Sequence, residues 1–106
     1  MEKLYKLEKE FSDIKSSLSP VQRLIIQIFI RVYKENGNEA LTEHELQILF
    51  LEKTSDLVLI KSVLKLGIGY HIKMVNMCLS KFKAESRICA DGRKRISKTE
   101  RTFNIK

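Results

Sequence analysis

Between Pro20 and Gly37 the chain sets Val21, Leu24, Ile25, Ile28, Phe29 and Val32 at helical spacing. That apolar face is too wide for a helix lying on a surface, so the segment has to be the centre of a fold. Ser19 is a good N-cap, Pro20 suits the first helical position, and Gly37 follows as a C-terminal stop. At 106 residues the chain has the length of one ordinary domain. One proline and four glycines leave few of the tight turns that a β-sandwich needs. A mainly α fold follows.

The flanking segments carry their own helical signals. Leu4, Leu7, Phe11, Ile14 and Leu18 are spaced 3, 4, 3, 4, a narrow seam filled in with Glu and Lys. This N-terminal amphipathic helix, residues 1–18, either pairs with a second copy in a homodimer or packs inside its own domain, residues 19–106. Thr42-Glu-His-Glu45 is a capping box opening a helix to about Glu52, with Leu46, Leu49 and Phe50 inward. Thr54-Ser-Asp56 caps another, Leu57 to Leu66, and Gly67-Ile-Gly69 is expected to be a turn. A further helix is expected over Tyr70–Lys83. At about 100° per residue, Ile72, Val75, Cys78, Leu79 and Phe82 share its inner face, with His71 near them. Tyr70, Lys73, Met77, Ser80 and Lys81 fall opposite, with Asn76 at the edge.

Net charge is confined to one end. Met1–Ile68 holds ten Lys/Arg against ten Asp/Glu, whereas Gly69–Lys106 holds ten against three, the whole of the net +7. A neutral body with one cationic end suits a polyanion, because phosphate neutralisation releases counterions and massed charge focuses the field. Arg87-Ile-Cys-Ala90 and Arg101-Thr-Phe-Asn-Ile105 alternate polar with apolar and read as two strands. Between them Asp91–Glu100 is polar and strongly basic. Helices ending in a cationic one, then a small C-terminal β-hairpin with a basic tip, make a winged helix-turn-helix.

Other chemistries find no support in the residues. There is no glycine-rich phosphate loop, nucleophile elbow or paired acidic motif, so no enzymatic activity and no cofactor are expected. Cys78 and Cys89 have no second pair, and His44 and His71 are too few for a metal site. Both cysteines are expected as small core fillers, with a thiol sensor at Cys89 as the alternative. The longest apolar run, Leu24–Ile30, contains Gln27 and is too short for a bilayer. The N-terminus is charged from Glu2 onward, so no signal peptide and a cytoplasmic location are expected.

Ser86–Ile105, and above all Arg93-Lys-Arg-Ile-Ser-Lys-Thr-Glu-Arg-Thr-Phe-Asn-Ile105, resembles the wing of the MarR family and its SarA-like branch. In that branch a basic strand leads to an Asp-Glu-Arg triplet and then a β-branched strand. Here the triplet stands as Thr99-Glu100-Arg101, followed by Thr102. The resemblance implies that Arg101 enters the minor groove, that Arg95 and Lys98 precede it as basic contacts, and that Tyr70–Lys83 is the recognition helix. Val21–Glu35 is similar to the family's central helix. Such proteins continue into a C-terminal dimerisation helix, whereas this sequence stops at Lys106. Any dimer is therefore expected to draw on the N-terminal seam and the central helix, the alternative being a monomer.

The reading is a sequence-specific double-stranded DNA-binding transcriptional regulator. Helix 70–83 reads the major groove through Tyr70, Lys73, Asn76 and Met77, and the wing 87–105 holds backbone and minor groove. Lys81, Arg93, Lys94, Arg95 and Lys98 hold phosphates, Ser80 is a further DNA-binding residue of the helix, and Arg101 serves the wing. Two alternatives stand beside it: a plasmid or phage replication initiator on the same fold, and a protein-interaction module docking through the N-terminal helix.

Overall fold

The computed structural model describes residues 2–37, 40–90 and 101–105. Its order is α1 (Glu2–Ile14), a 3₁₀ turn (Lys15–Ser17), α2 (Pro20–Asn36), β1 (Leu41–Thr42) and α3 (Glu43–Lys53). Then come α4 (Leu57–Leu66), α5 (Ile68–Lys81), β2 (Ile88–Ala90) and β3 (Thr102–Ile105). The described residues thus form a mainly helical fold with a small antiparallel sheet.

The expected caps are in place. Ser19 Oγ accepts from Gln22 N while Gln22 Oε1 accepts from Ser19 N, which adds a capping box to the proline signal. Thr42 and Glu45 make the same reciprocal pair, each bond 3.0 Å. Asp56 Oδ1 accepts from Val58 N and starts α4. α2 is the hub: it packs against α1, α3, α4 and α5, with Ile25, Ile26, Ile28 and Phe29 essentially sealed from solvent.

The N-terminal seam is spent on this core. Leu4, Leu7, Ile14 and Leu18 are buried within the single chain, and Phe11 packs half-buried against the same cluster. Of the two readings of that seam, the structure displays packing inside the domain. The residues named for dimerisation are not displayed for a second copy.

α1 ends at Ile14 and passes into the 3₁₀ turn, short of the expected residue 18, and three further features differ from expectation. The Gly67–Gly69 turn contracts to one residue: Gly67 makes the whole corner at φ 86 and ψ 153, and α5 already begins at Ile68. α5 also stops earlier, at Lys81, and Lys83 adopts a left-handed φ of 59 as the chain leaves. Phe82 therefore sits past the last helical residue and is 45% exposed, not on the inner face. Finally, the hairpin strands belong to a three-stranded sheet of order β1-β3-β2. Leu41 pairs with Phe103 and Thr42 with Thr102 on one edge of β3, while Ile88, Cys89 and Ala90 pair with Ile105, Asn104 and Phe103 on the other. As the central strand, β3 buries all four residues, Thr102 and Asn104 included, so its polar–apolar alternation does not mark an exposed face.

Candidate nucleic-acid interface

α5 contains no acidic residue. Its inner face puts Ile68, His71, Ile72, Val75 and Leu79 into the core against α2, α3 and α4. His71 is held there by Ser62, whose hydroxyl and carbonyl lie 3.2 and 3.3 Å from Nε2. The outer face exposes Tyr70, Lys73, Met77, Ser80 and Lys81 as the sequence expects. Lys73 and Lys81 have no ion-pair partner among the described residues. Lys81 lies in the last helical turn, where the dipole favours a cation, and its Nζ stands 5.8 Å from the Phe82 ring centre.

Beside this face a groove of about 660 Å³ opens between α5 and the sheet. Lys73, Asn76, Met77 and Ser80 line it from the helix, and Cys89, Ala90, Arg101 and Phe103 from the strand side. Five expected site residues thus converge on one concavity. Tyr70 and Lys81 are exposed on the same helix outside it. Arg93, Lys94, Arg95 and Lys98 lie outside the described residues.

Two of the converging residues are committed to the protein itself. Asn76 does not present its carboxamide to a ligand: Nδ2 donates to Ile88 O at 2.8 Å, and Oδ1 accepts from Ile88 N at 2.9 Å. It thus replaces a strand partner at the outer edge of β2 and ties the sheet to α5. A base-reading role for Asn76 is withdrawn on that geometry.

Arg101 is likewise folded back. Its Nε donates to Glu43 Oε1 at 2.7 Å, and its guanidinium carbon lies 5.5 Å from the Phe103 ring centre. Its backbone carbonyl accepts from Glu43 N at 3.0 Å. The guanidinium rests on the backbone of Gly69, where an added Cβ would lie 2.0 Å from Nη2. The hydrogen bond and charge of Glu43 raise the pKa of Arg101 above its ordinary value. Arg101 is still half-exposed, so the cation is presented at the groove in a fixed place, with part of its charge matched by Glu43. A freely reaching wing arginine is not what these contacts describe.

Gly67 caps α5 without a side-chain hydrogen bond, so the positive end of the helix dipole has no side-chain oxygen over it. The Arg101 guanidinium on Gly69, its charge partly matched by Glu43, lies at the same end. Together they favour an anion there.

Sequence reasoning missed Gly69, Glu43 and Phe103 as parts of the site. Gly69 reads as a turn glycine and Glu43 as a first-turn acid behind an N-cap. The ion pair joins residues 58 apart, and no local pattern couples them. Cys78 and Cys89 are free and half-buried, Cys89 at the groove wall. Among the described residues no cluster of His, Cys, Asp and Glu is arranged to hold a metal, and no helix is long and apolar enough to cross a membrane. No protein-family model, curated protein or solved structure matches the chain.

Proposed function

We propose that this protein binds double-stranded DNA as a winged helix-turn-helix regulator, similar to the MarR and SarA-like families, with α5 in the major groove. The observation that carries the reading is the outer face of α5: Tyr70, Lys73, Met77, Ser80 and Lys81, exposed on a helix without a single acid. Such a face offers cations to phosphates and a hydroxyl, a phenol and a thioether to base edges. The adjoining sheet supports it, because β2 packs on α5, and β2 and β3 precede and follow the basic Asp91–Glu100 segment in the chain. In this reading Lys73 and Lys81 hold phosphates, Tyr70 and Met77 face the bases, and Arg101 stands at the groove wall.

The test is fluorescence anisotropy of the whole chain with a labelled random duplex of about 30 base pairs over a salt series. The expected result is binding whose affinity falls steeply with salt, with the slope flattened by up to about two phosphate equivalents in Lys73→Ala/Lys81→Ala. Absence of binding at low salt overturns the reading. Binding that the double variant leaves intact removes α5 from the interface.

A further inference from the structure

α4 carries apolar residues on its outer as well as its inner side, yet only the inner side is covered. Among its ten residues, Leu57–Leu66, the polar ones are Lys61, Ser62 and Lys65. Val63 is sealed and Leu59 and Ile60 are half-buried on the side facing the core, where the helix packs on α2 and α5. On the outer side Leu57, Val58 and Leu64 are 67, 75 and 58% exposed. Apolar side chains gathered on one exposed face mark an interaction surface, whereas scattered ones need no explanation.

The cations say what kind of partner fits. At about 100° per residue, Lys61 and Lys65 project from the middle of the exposed face, with Leu57 and Leu64 on one side and Val58 on the other. Neither lysine has an ion-pair partner among the described residues. Leu57 and Leu64 are seven residues apart, two turns or about 10 Å along the axis, the span that anchors of a docked helix use. A second copy meeting this face across a two-fold axis would set Lys61 and Lys65 near their own counterparts, a repulsive arrangement. A flat anionic lipid surface would also meet the exposed Asp56 at the N-terminal end of α4. A single helix laid along the face can keep its acids over the lysines and away from that end.

We propose that the outer face of α4 docks an amphipathic helix of a partner protein, one carrying acidic residues among aliphatic or aromatic anchors. The leucines and Val58 supply the buried contact, and Lys61 and Lys65 select for acids and fix the direction of the bound helix. The surface lies on a different helix from the DNA-facing one, so the two activities are separately testable.

The experiment is selection of a displayed library of amphipathic helical peptides, about 18 residues long, on the whole protein. The best binder is then titrated against two double variants. The expected result is enrichment of Asp and Glu beside Leu or Phe. Leu57→Ser/Leu64→Ser and, separately, Lys61→Glu/Lys65→Glu should each weaken binding about tenfold or more. A peptide with its acids changed to lysine should regain affinity for the Lys61→Glu/Lys65→Glu protein. All substituted side chains are exposed, and circular dichroism checks that the fold persists. Selected peptides without acid enrichment, or binding indifferent to both double variants, overturn the proposal. So does self-association, or binding to phosphatidylserine vesicles, that Leu57→Ser/Leu64→Ser abolishes, since the face then belongs to a second copy or to lipid. None of these outcomes alters the duplex titration, which reads α5.

Discussion

The carboxamide of Asn76 is a strand partner for Ile88, donating at 2.8 Å and accepting at 2.9 Å from one backbone residue. Ile88 is 1% exposed, so the groups that Asn76 satisfies have poor access to water. Asn76→Ala leaves an amide and a carbonyl without partners, and an unmet buried group costs about 1–3 kcal/mol. The expected outcome is a urea midpoint lowered accordingly. Because Asn76 orients the sheet and does not read bases, the variant should weaken random and selected duplexes by the same factor. A changed base preference in a site-selection experiment would return Asn76 to the interface.

Arg101 and Glu43 are expected to trade ion pairing against phosphate binding. The pair is half-exposed, so its loss changes stability by no more than about 1 kcal/mol. Glu43→Gln removes the competing charge and leaves Arg101 on its Gly69 seat. The slope of log affinity against log salt should then steepen by about one phosphate equivalent, and Arg101→Ala should flatten it by a similar amount. Gly69→Ala displaces the guanidinium, whose flexible end can move, and should weaken duplex binding with little loss of stability. Salt titrations of the three variants decide the matter. An unchanged slope in Glu43→Gln and Arg101→Ala alike would make Arg101 a purely structural residue.

The legible part of this fold was local. Ser19-Pro20, Thr42-Glu45 and Asp56 are short-range hydrogen-bonding devices, and each starts a helix where its residues say it should. The seam Leu4–Leu18 showed that one face of α1 is buried, but periodicity alone does not name the surface that buries it. α2 supplies that surface. β1 was hidden because it is two residues long and Thr42 also serves as an N-cap. β3 misled by its alternation, since Thr102 and Asn104 are polar residues of a strand covered on both faces. In the candidate site the outer face of α5 followed from helical geometry. Asn76–Ile88 and Arg101–Glu43 did not, because each depends on how distant elements meet.

Gly67 turns α4 into α5 with φ 86 and ψ 153, a region that residues with a Cβ avoid. A Cβ there would meet nothing within 4 Å, so the cost of Gly67→Ala is conformational and not a clash. The expected loss is about 1–3 kcal/mol. Lys83 offers the opposite case, a side chain at a left-handed φ of 59, and Lys83→Gly should raise stability by up to about 1 kcal/mol. Chemical denaturation of the two variants checks both signs.

Leu7 is fully buried within one chain, so Leu7→Ala should cost about 2–5 kcal/mol as a core truncation. If the seam acts only inside the monomer, the melting temperature of the wild type and the variant should not depend on protein concentration. A melting temperature that rises with concentration in the wild type, and ceases to do so in Leu7→Ala, would show that α1 also joins two copies.

Glu10 fastens α1 to the chain leaving α5, and this contact carries a pH dependence of known sign. Its carboxylate accepts from Glu85 N at 2.6 Å and from Ser86 N at 3.0 Å. Partial burial works to raise its pKa. The Ser86 side chain, the two backbone N–H groups and the charge of Lys6 outweigh it, and the net shift is downward. A carboxyl held below its unfolded value contributes stability that is complete above the ordinary carboxylate range. That contribution is lost as pH falls through the depressed value. Glu10→Gln cannot titrate, and its amide has only one oxygen to accept with. The variant should therefore be less stable than the wild type at about pH 7, and the gap should be smaller at about pH 3, as the wild-type carboxyl begins to take up its proton. Urea unfolding at the two pH values measures the gap. A gap that stays constant between them would mean that Glu10 acts through packing and not through its charge.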